Sequence, residues 1–127
     1  MEVPTSKWLD TLPDTEPVFA VMRRLREKAD GLLAESRACL PRYGEVAAGG
    51  AHMDGLMRGG GLCKFLCELG VGRTPQQAAE SAKVEAALYA DKWNKRASYH
   101  VQRWLKGADA LIDDAMRAIL NAVHTHQ

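Results

Sequence analysis

Apolar and polar positions along most of this chain recur with the three-and-four spacing of amphipathic α-helices, and no stretch shows the two-residue alternation of a strand. The pattern is cleanest towards the C-terminal end. There Ala108, Leu111, Ile112, Ala115, Met116, Ile119, Leu120 and Val123 trace one stripe. Asp109, Asp113 and Asp114 fall near the start of that helix, where the positive end of the helix dipole favours carboxylates. Gly107 offers the break before it, and His124 to Gln127 reads as a frayed tail.

A second periodic stretch lies nearer the N-terminus. Met22, Leu25, Ala29, Leu32, Ser36 and Cys39 recur at alternating intervals of three and four, which makes a heptad seam about three repeats long. Asp14 or Thr15 can cap this helix, Glu16 and Pro17 suit its first turn, and Pro41 is expected to end it. Gly31 inside it costs about 1 kcal/mol relative to alanine. Such a seam packs either inside its own chain or against a second copy, which makes Met22, Leu25 and Leu32 candidate oligomerisation residues.

These patterns divide the chain into five parts. Residues 1–13 form an N-terminal arm whose Trp8, Leu9 and Leu12 could lie on the body of the protein or on a neighbouring subunit. Residues 14–40 are the amphipathic helix. Residues 41–61 are a glycine-rich connector, in which Gly59-Gly60-Gly61 is expected to interrupt any short helix before it. Residues 107–127 are the C-terminal helix and tail.

The remaining part, 62–106, has the most suggestive order. Leu62, Phe65, Leu66 and Leu69 give a short helix ended by Gly70. Thr74 can cap the next, with Pro75 pre-set for its first turn and Ala78 and Ala79 small enough for close helix approach. A turn is expected at Lys83-Val84-Glu85. A longer helix then runs from about Ala86 to Lys106 with Leu88, Tyr89, Trp93, Tyr99, Val101 and Trp104 as its large non-polar or aromatic groups. This order reads as a helix-turn-helix, and equally as helices that simply pack together in an all-α domain. The expected fold is therefore an all-α helical bundle with a central helix-turn-helix-like motif.

Charge bears on that choice through its distribution. The chain carries a formal net charge of only +1, but Arg58 to Lys106 holds nine basic and four acidic residues. Positive potential is thus concentrated on the central stretch. If its last helix lies against double-stranded DNA, Arg73, Lys92, Lys95, Arg96 and Arg103 would meet phosphates, while Asn94 and Gln102 could reach base edges. A solvated helix face is the plainer reading of the same charges.

Catalytic chemistry finds little support. The glycines before Lys64 lack the spacing of a phosphate-binding loop, and no buried strand leads into them. Cys63 and Cys67 share a helix face, but the usual structural-zinc spacings are missing. Nothing brings a cysteine to His100 with an orienting carboxylate. We expect no enzyme activity, no cofactor and no metal. Three cysteines in a chain of this size suit free thiols in a reducing compartment. With no membrane-length apolar run and no signal-peptide pattern, a soluble, cytoplasmic protein is expected.

Phe65, Leu66, Leu69, Gly72, Thr74, Ala78, Ala79, Ala82, Val84, Tyr89 and Trp93 stand in an order that resembles the DNA-binding part of bacteriophage small terminase subunits. The resemblance covers about Leu62 to Leu120. It implies a non-catalytic homo-oligomer that selects viral DNA for packaging, with a large terminase ATPase as partner. The alternatives are a helical protein–protein interaction module, such as a virion component or inhibitor, and a dimeric helix-turn-helix transcriptional regulator.

Overall fold

The computed structural model describes residues 7–125, with the side chains of 39–51, 92–100 and 125 outside that description. A short 3-10 turn, Trp8–Thr11, is followed by two long helical runs, α1 (Glu16–Gly70) and α2 (Pro75–Thr125). No strand occurs among the described residues.

Neither run is straight. At 1.5 Å per residue, a straight helix would set Ser36 and His52 about 24 Å apart. The Ser36 Oγ instead lies 2.8 Å from His52 Nδ1. A straight α2 would likewise separate Lys83 from Asp113 by about 45 Å, yet Lys83 Nζ is 2.7 Å from Asp113 Oδ1. Each run therefore doubles back on itself, giving four helical limbs whose described side chains cover 16–38, 52–70, 75–91 and 101–124. A shallow groove lined by Pro17, Ala20 and Val21 on one side and Ala118, Asn121 and Ala122 on the other sets the first limb beside the fourth. The result is an all-α, up-down-up-down bundle.

Local chemistry explains the junction of the second and third limbs. Gly72 has a φ of +109°, a backbone conformation that glycine adopts without the steric cost of a Cβ. With it, the Arg73 N–H donates to the Glu68 carbonyl at 3.0 Å and the Gly72 N–H to the Leu69 carbonyl at 3.1 Å. This is a Schellman stop. Gly70 is the last residue of α1, where the sequence placed the stop, and Gly72 is the left-handed residue that makes it. Thr74 then begins α2 with a reciprocal capping box: the Gln77 N–H donates to Thr74 Oγ1 at 3.2 Å, and the Thr74 N–H to Gln77 Oε1 at 3.1 Å. The N-terminal arm closes over this turn, with the Trp8 N–H donating to the Gly72 carbonyl at 2.9 Å and Leu9 buried. At the start of α1 it is Asp14 that caps, its Oδ1 accepting from the Glu16 N–H at 3.0 Å.

The core runs between the limbs. Val18, Val21 and Ala29 from the first limb, Leu62, Phe65, Leu66 and Leu69 from the second, Ala78, Ala79 and Ala82 from the third, and Ile112, Ala115 and Ile119 from the fourth form the main cluster. A smaller one gathers Ala86, Ala90, Val101 and Ala108 around Met57. The C-terminal stripe read from the sequence is the fourth limb's buried face. The heptad seam finds its packing inside the chain: Met22 and Leu25 are half-buried against the main core.

Two glycines set how closely the first and second limbs approach. A Cβ on Gly55 would lie 3.0 Å from the Ser36 Cβ and 3.1 Å from the Leu32 carbonyl oxygen. One on Gly59 would lie 2.8 Å from the Leu33 Cγ and 3.2 Å from the Ala29 carbonyl oxygen. Ala29 and Ser36, both buried, are the small residues facing them.

Several expected breaks do not occur. Gly59-Gly60-Gly61, Lys83-Val84-Glu85 and Gly107 are all helical. The region 41–61 is thus no simple connector, since its last ten residues are packed helix. The third limb also runs unbroken through the position where a helix-turn-helix would turn. Pro41, expected to end the first helix, is likewise assigned as helical within α1. No helix among the described residues is long and apolar enough to cross a membrane.

The glycine contacts separate two effects of the same substitution. Gly31 faces open space, so Gly31→Ala should stabilise the protein by about 0.5–1 kcal/mol through helix propensity alone. Gly55→Ala gains the same propensity but drives a methyl into a backbone carbonyl, and should destabilise by about 1–3 kcal/mol. Thermal denaturation followed by circular dichroism checks both. Equal shifts in one direction would contradict the close approach.

Candidate interaction surface

Beyond Pro75 at its first turn, the residues that the third limb buries fully are alanines, with Tyr89 half-buried against the smaller core. Ala78, Ala82, Ala86 and Ala90 recur every four residues and are all buried, so this face fixes which residues must point away from the core. Val84 and Leu88 fall on the opposite side of the helix, and each is 61% exposed. They are one turn apart, with Glu80 one turn before Val84 and Asp91 just beyond Leu88. The outer ridge of this limb is therefore a pair of bulky apolar side chains between acids. Lys83, the only cation in 75–91, is engaged by Asp113 on the fourth limb.

A second apolar feature lies between the first and second limbs. Phe19, Met22, Leu66 and Cys67 line an open groove of about 320 Å³ whose edge carries Arg23 and Arg26. Phe19 is 37% exposed. Arg23 pairs with Glu16 at 2.8 Å and Arg26 with Asp30 at 3.3 Å. All four partners are well exposed, which leaves such pairs little net strength.

The groove between the second and third limbs is built from charge instead. Glu68, largely buried, pairs with Lys64 at 3.2 Å and with Arg73 at 3.4 Å. Gln77, Glu80, Ser81 and Glu85 continue its lining, and Val84 stands at it as well.

Two polar clusters invite a catalytic reading and do not support one. Ser36 Oγ lies 2.8 Å from His52 Nδ1, the contact of a nucleophile and its base. The same Nδ1 is 2.9 Å from the Ser36 carbonyl, which can only accept, so Nδ1 carries the proton. The Ser36 hydroxyl gives its own hydrogen to the His52 carbonyl at 2.7 Å. No lone pair on Nδ1 remains to take it. The pair is a clasp across the reversal of α1, and Ser36 is held as a donor rather than activated.

The second cluster is Asp109, whose Oδ1 is buried without a hydrogen-bond partner. Burial pushes its carboxyl above the ordinary range, and nearby Lys83 only partly opposes this. Burial likewise raises the Cys63 thiol, making it a poorer source of thiolate at neutral pH. Cys63 and Cys67 are free thiols, the first half-buried and the second exposed. No group of three or more potential metal ligands occurs among the described residues.

The residues expected to meet DNA do not assemble on one described face. Arg73 sits at the Gly72 turn and is paired with Glu68. Gln102 and Arg103 are exposed at the start of the fourth limb, beyond a third limb whose sixteen steps from Pro75 to Asp91 rise about 24 Å. The side chains of Lys92, Asn94, Lys95 and Arg96 lie outside the described residues. Of the seam residues, Met22 lines the apolar groove, Leu25 packs on the core and Leu32 presents its carbonyl to Gly55. The sequence reading missed the exposed ridge, placing Val84 in a turn. The signal was present in the four-residue spacing of the alanines, which leaves Val84 and Leu88 on the far side of an unbroken helix.

The fold and these surfaces define a four-helix bundle with open grooves and an apolar ridge. Comparison with family models, with curated proteins and with solved structures found no match for the chain.

The raised Asp109 carboxyl has a measurable consequence. An acid whose folded pKa lies above its unfolded value holds its proton more tightly in the folded state, so its ionisation removes stability as pH rises through the folded value. At pH 7 the ionised group opposes folding. Asp109→Asn should therefore raise the melting temperature at pH 7, by a few degrees, and the advantage should close as pH falls below the unfolded aspartate value of about 3.9. A constant difference across pH would show that burial of the charge is not its cause.

Proposed function

We propose that this protein is a non-catalytic interaction module, an all-α bundle that acts by presenting helical surfaces to another protein. The observation that carries this is the exposure of Val84 and Leu88 on the outer ridge of the third limb. A bulky apolar pair on a solvent face contributes nothing to the core, while a partner covering it would gain about 25 cal/mol for each Å² of apolar surface removed from water. The proton arrangement at Ser36 and His52 favours the same reading, because the best-placed nucleophile–base pair in the described structure serves as a clasp.

A DNA-binding role is the second reading. The chain between Asp91 and Val101 carries Lys92, Lys95 and Arg96 with no acid, and a cationic segment at the junction of two limbs is suited to phosphates. In this form the protein would be an oligomeric DNA-packaging component like the small terminase subunits it resembles, gripping DNA with that segment and not with a helix inserted after a tight turn.

Cross-linking in the cells that make the protein separates the two. The interaction module is expected to be captured in protein adducts that disappear in Val84→Ser/Leu88→Ser, whose melting temperature stays near that of the wild type because both side chains are already exposed. The DNA reading expects ultraviolet-induced nucleic-acid adducts, lost in Lys95→Glu/Arg96→Glu, and duplex binding that weakens as salt rises. Nucleic-acid adducts alone, indifferent to the ridge substitutions, would overturn the first reading.

A further inference from the structure

The ridge and the groove carry opposite charge on matching apolar surfaces. Val84 and Leu88 stand out from the third limb as two knobs one turn apart, flanked by Glu80 and Asp91, both exposed, with Glu85 beside them. Within 75–91 the one cation, Lys83, is turned to Asp113, and Lys64 and Arg73 of the groove that Glu80 and Glu85 line are paired with Glu68. The groove between the first and second limbs is apolar along its floor and edged by Arg23 and Arg26. Its volume of about 320 Å³ is ample for the side chains of a valine and a leucine.

We propose that the ridge of one molecule docks in the groove of a second copy, Val84 and Leu88 seating against Phe19, Met22 and Leu66 while Glu80 and Asp91 meet the two guanidinium groups. This rests on the interaction-module reading and names its partner. The arginines are available for the exchange: their present carboxylate partners are exposed and within eight residues on the same helix, so trading one for another across the contact costs little. Arginine's planar fork also suits a carboxylate arriving from outside. Because the two surfaces are different parts of the chain, the contact is heterologous, and it propagates from copy to copy into a ring or a filament instead of stopping at a two-fold dimer.

Sedimentation velocity on the full-length protein over a wide concentration range is the first measurement, with circular dichroism confirming that each variant is folded. The wild type should gain mass beyond a dimer as concentration rises. Leu88→Asp, which spoils the ridge alone, and Arg23→Glu/Arg26→Glu, which spoils the groove alone, should each associate at least about tenfold more weakly. Should the double charge reversal disturb folding, Cys67→Arg blocks the groove from a position that is already exposed.

Mixing the two kinds of variant is the decisive step. The Leu88→Asp protein keeps an intact groove and the groove variant keeps an intact ridge, so together they should form a one-to-one dimer that grows no further. A mixture that stays monomeric overturns the proposal. A disulfide trap reports the geometry independently: Leu88→Cys should oxidise to Cys67 of another molecule, whereas a bond between two copies of position 88 would mean a two-fold ridge contact and would also overturn it. If the wild type is monomeric at every concentration, self-docking fails, and the interaction reading then depends on whether cross-linking in cells captures a different protein through the same ridge.

Discussion

The approach of the first two helical limbs is the constraint on which this bundle depends. At Gly55 and Gly59 the second limb comes so near the first that a methyl group would meet the carbonyl oxygens of Leu32 and Ala29. Contact at that range requires small residues on both sides, which is why Ala29 and Ser36 are buried where a heptad seam would ordinarily place leucine. It also brings Ser36 against His52, where the hydroxyl and the imidazole satisfy each other's backbone carbonyls and close the reversal of α1. Gly61 extends the same economy to the fourth limb, since a Cβ there would stand 3.0 Å from the Ile112 Cδ1.

That constraint explains what was legible in the sequence and what was not. The all-α class, the C-terminal stripe, the Thr74 cap and the core residues of 62–69 follow from periodicity and capping chemistry, which act locally. The three consecutive glycines misled because their cost is local and their use is not. Each lowers helix propensity by about 1 kcal/mol, but the packing that Gly59 and Gly61 permit belongs to limbs remote in sequence, and it outweighs that cost. The break expected at Lys83-Val84-Glu85 came from the order of a motif and not from a breaker residue. No glycine or proline stands there, and nothing prevents the helix from continuing. The candidate surface was legible only in part for the same reason: the alanines that identify the third limb's inner face mark the outer one only if the helix is unbroken.

Small residues on the inside have a consequence outside. A limb that buries alanine at 78, 82, 86 and 90 lies close to its neighbours but removes little apolar area from water. Of its larger non-polar side chains beyond the first turn, Tyr89 packs against the smaller core, while Val84 and Leu88 face solvent. On a chain whose core is otherwise filled by leucine, isoleucine and phenylalanine, two bulky side chains facing solvent one turn apart form a surface of defined shape. Single exposed apolar residues are common in folded proteins and need no explanation. A pair at helical spacing, bracketed by carboxylates, has the anatomy of a recognition face: an apolar centre within a charged margin.

The disposition of charge gives that face its sign. Across the described bundle most cations are matched close at hand: Lys64 and Arg73 share Glu68, Lys83 holds Asp113, and Arg58 is clasped by Asp54. The last of these is short, and its guanidinium is held more firmly protonated by that hydrogen bond. Pairing between limbs takes up Lys83, the one cation of 75–91, which also holds Glu80, Glu85 and Asp91. The chain's excess of positive charge must then reside elsewhere, and the sequence puts much of it between Lys92 and Lys106. Charge along the sequence of α2 is thus divided, acidic over 75–91 and basic over 92–106. A partner that reads the ridge needs arginine or lysine around an apolar hollow, and one that reads the cationic end needs phosphate or carboxylate. The groove of Phe19 and Met22, edged by Arg23 and Arg26, meets the first requirement with residues of the chain itself.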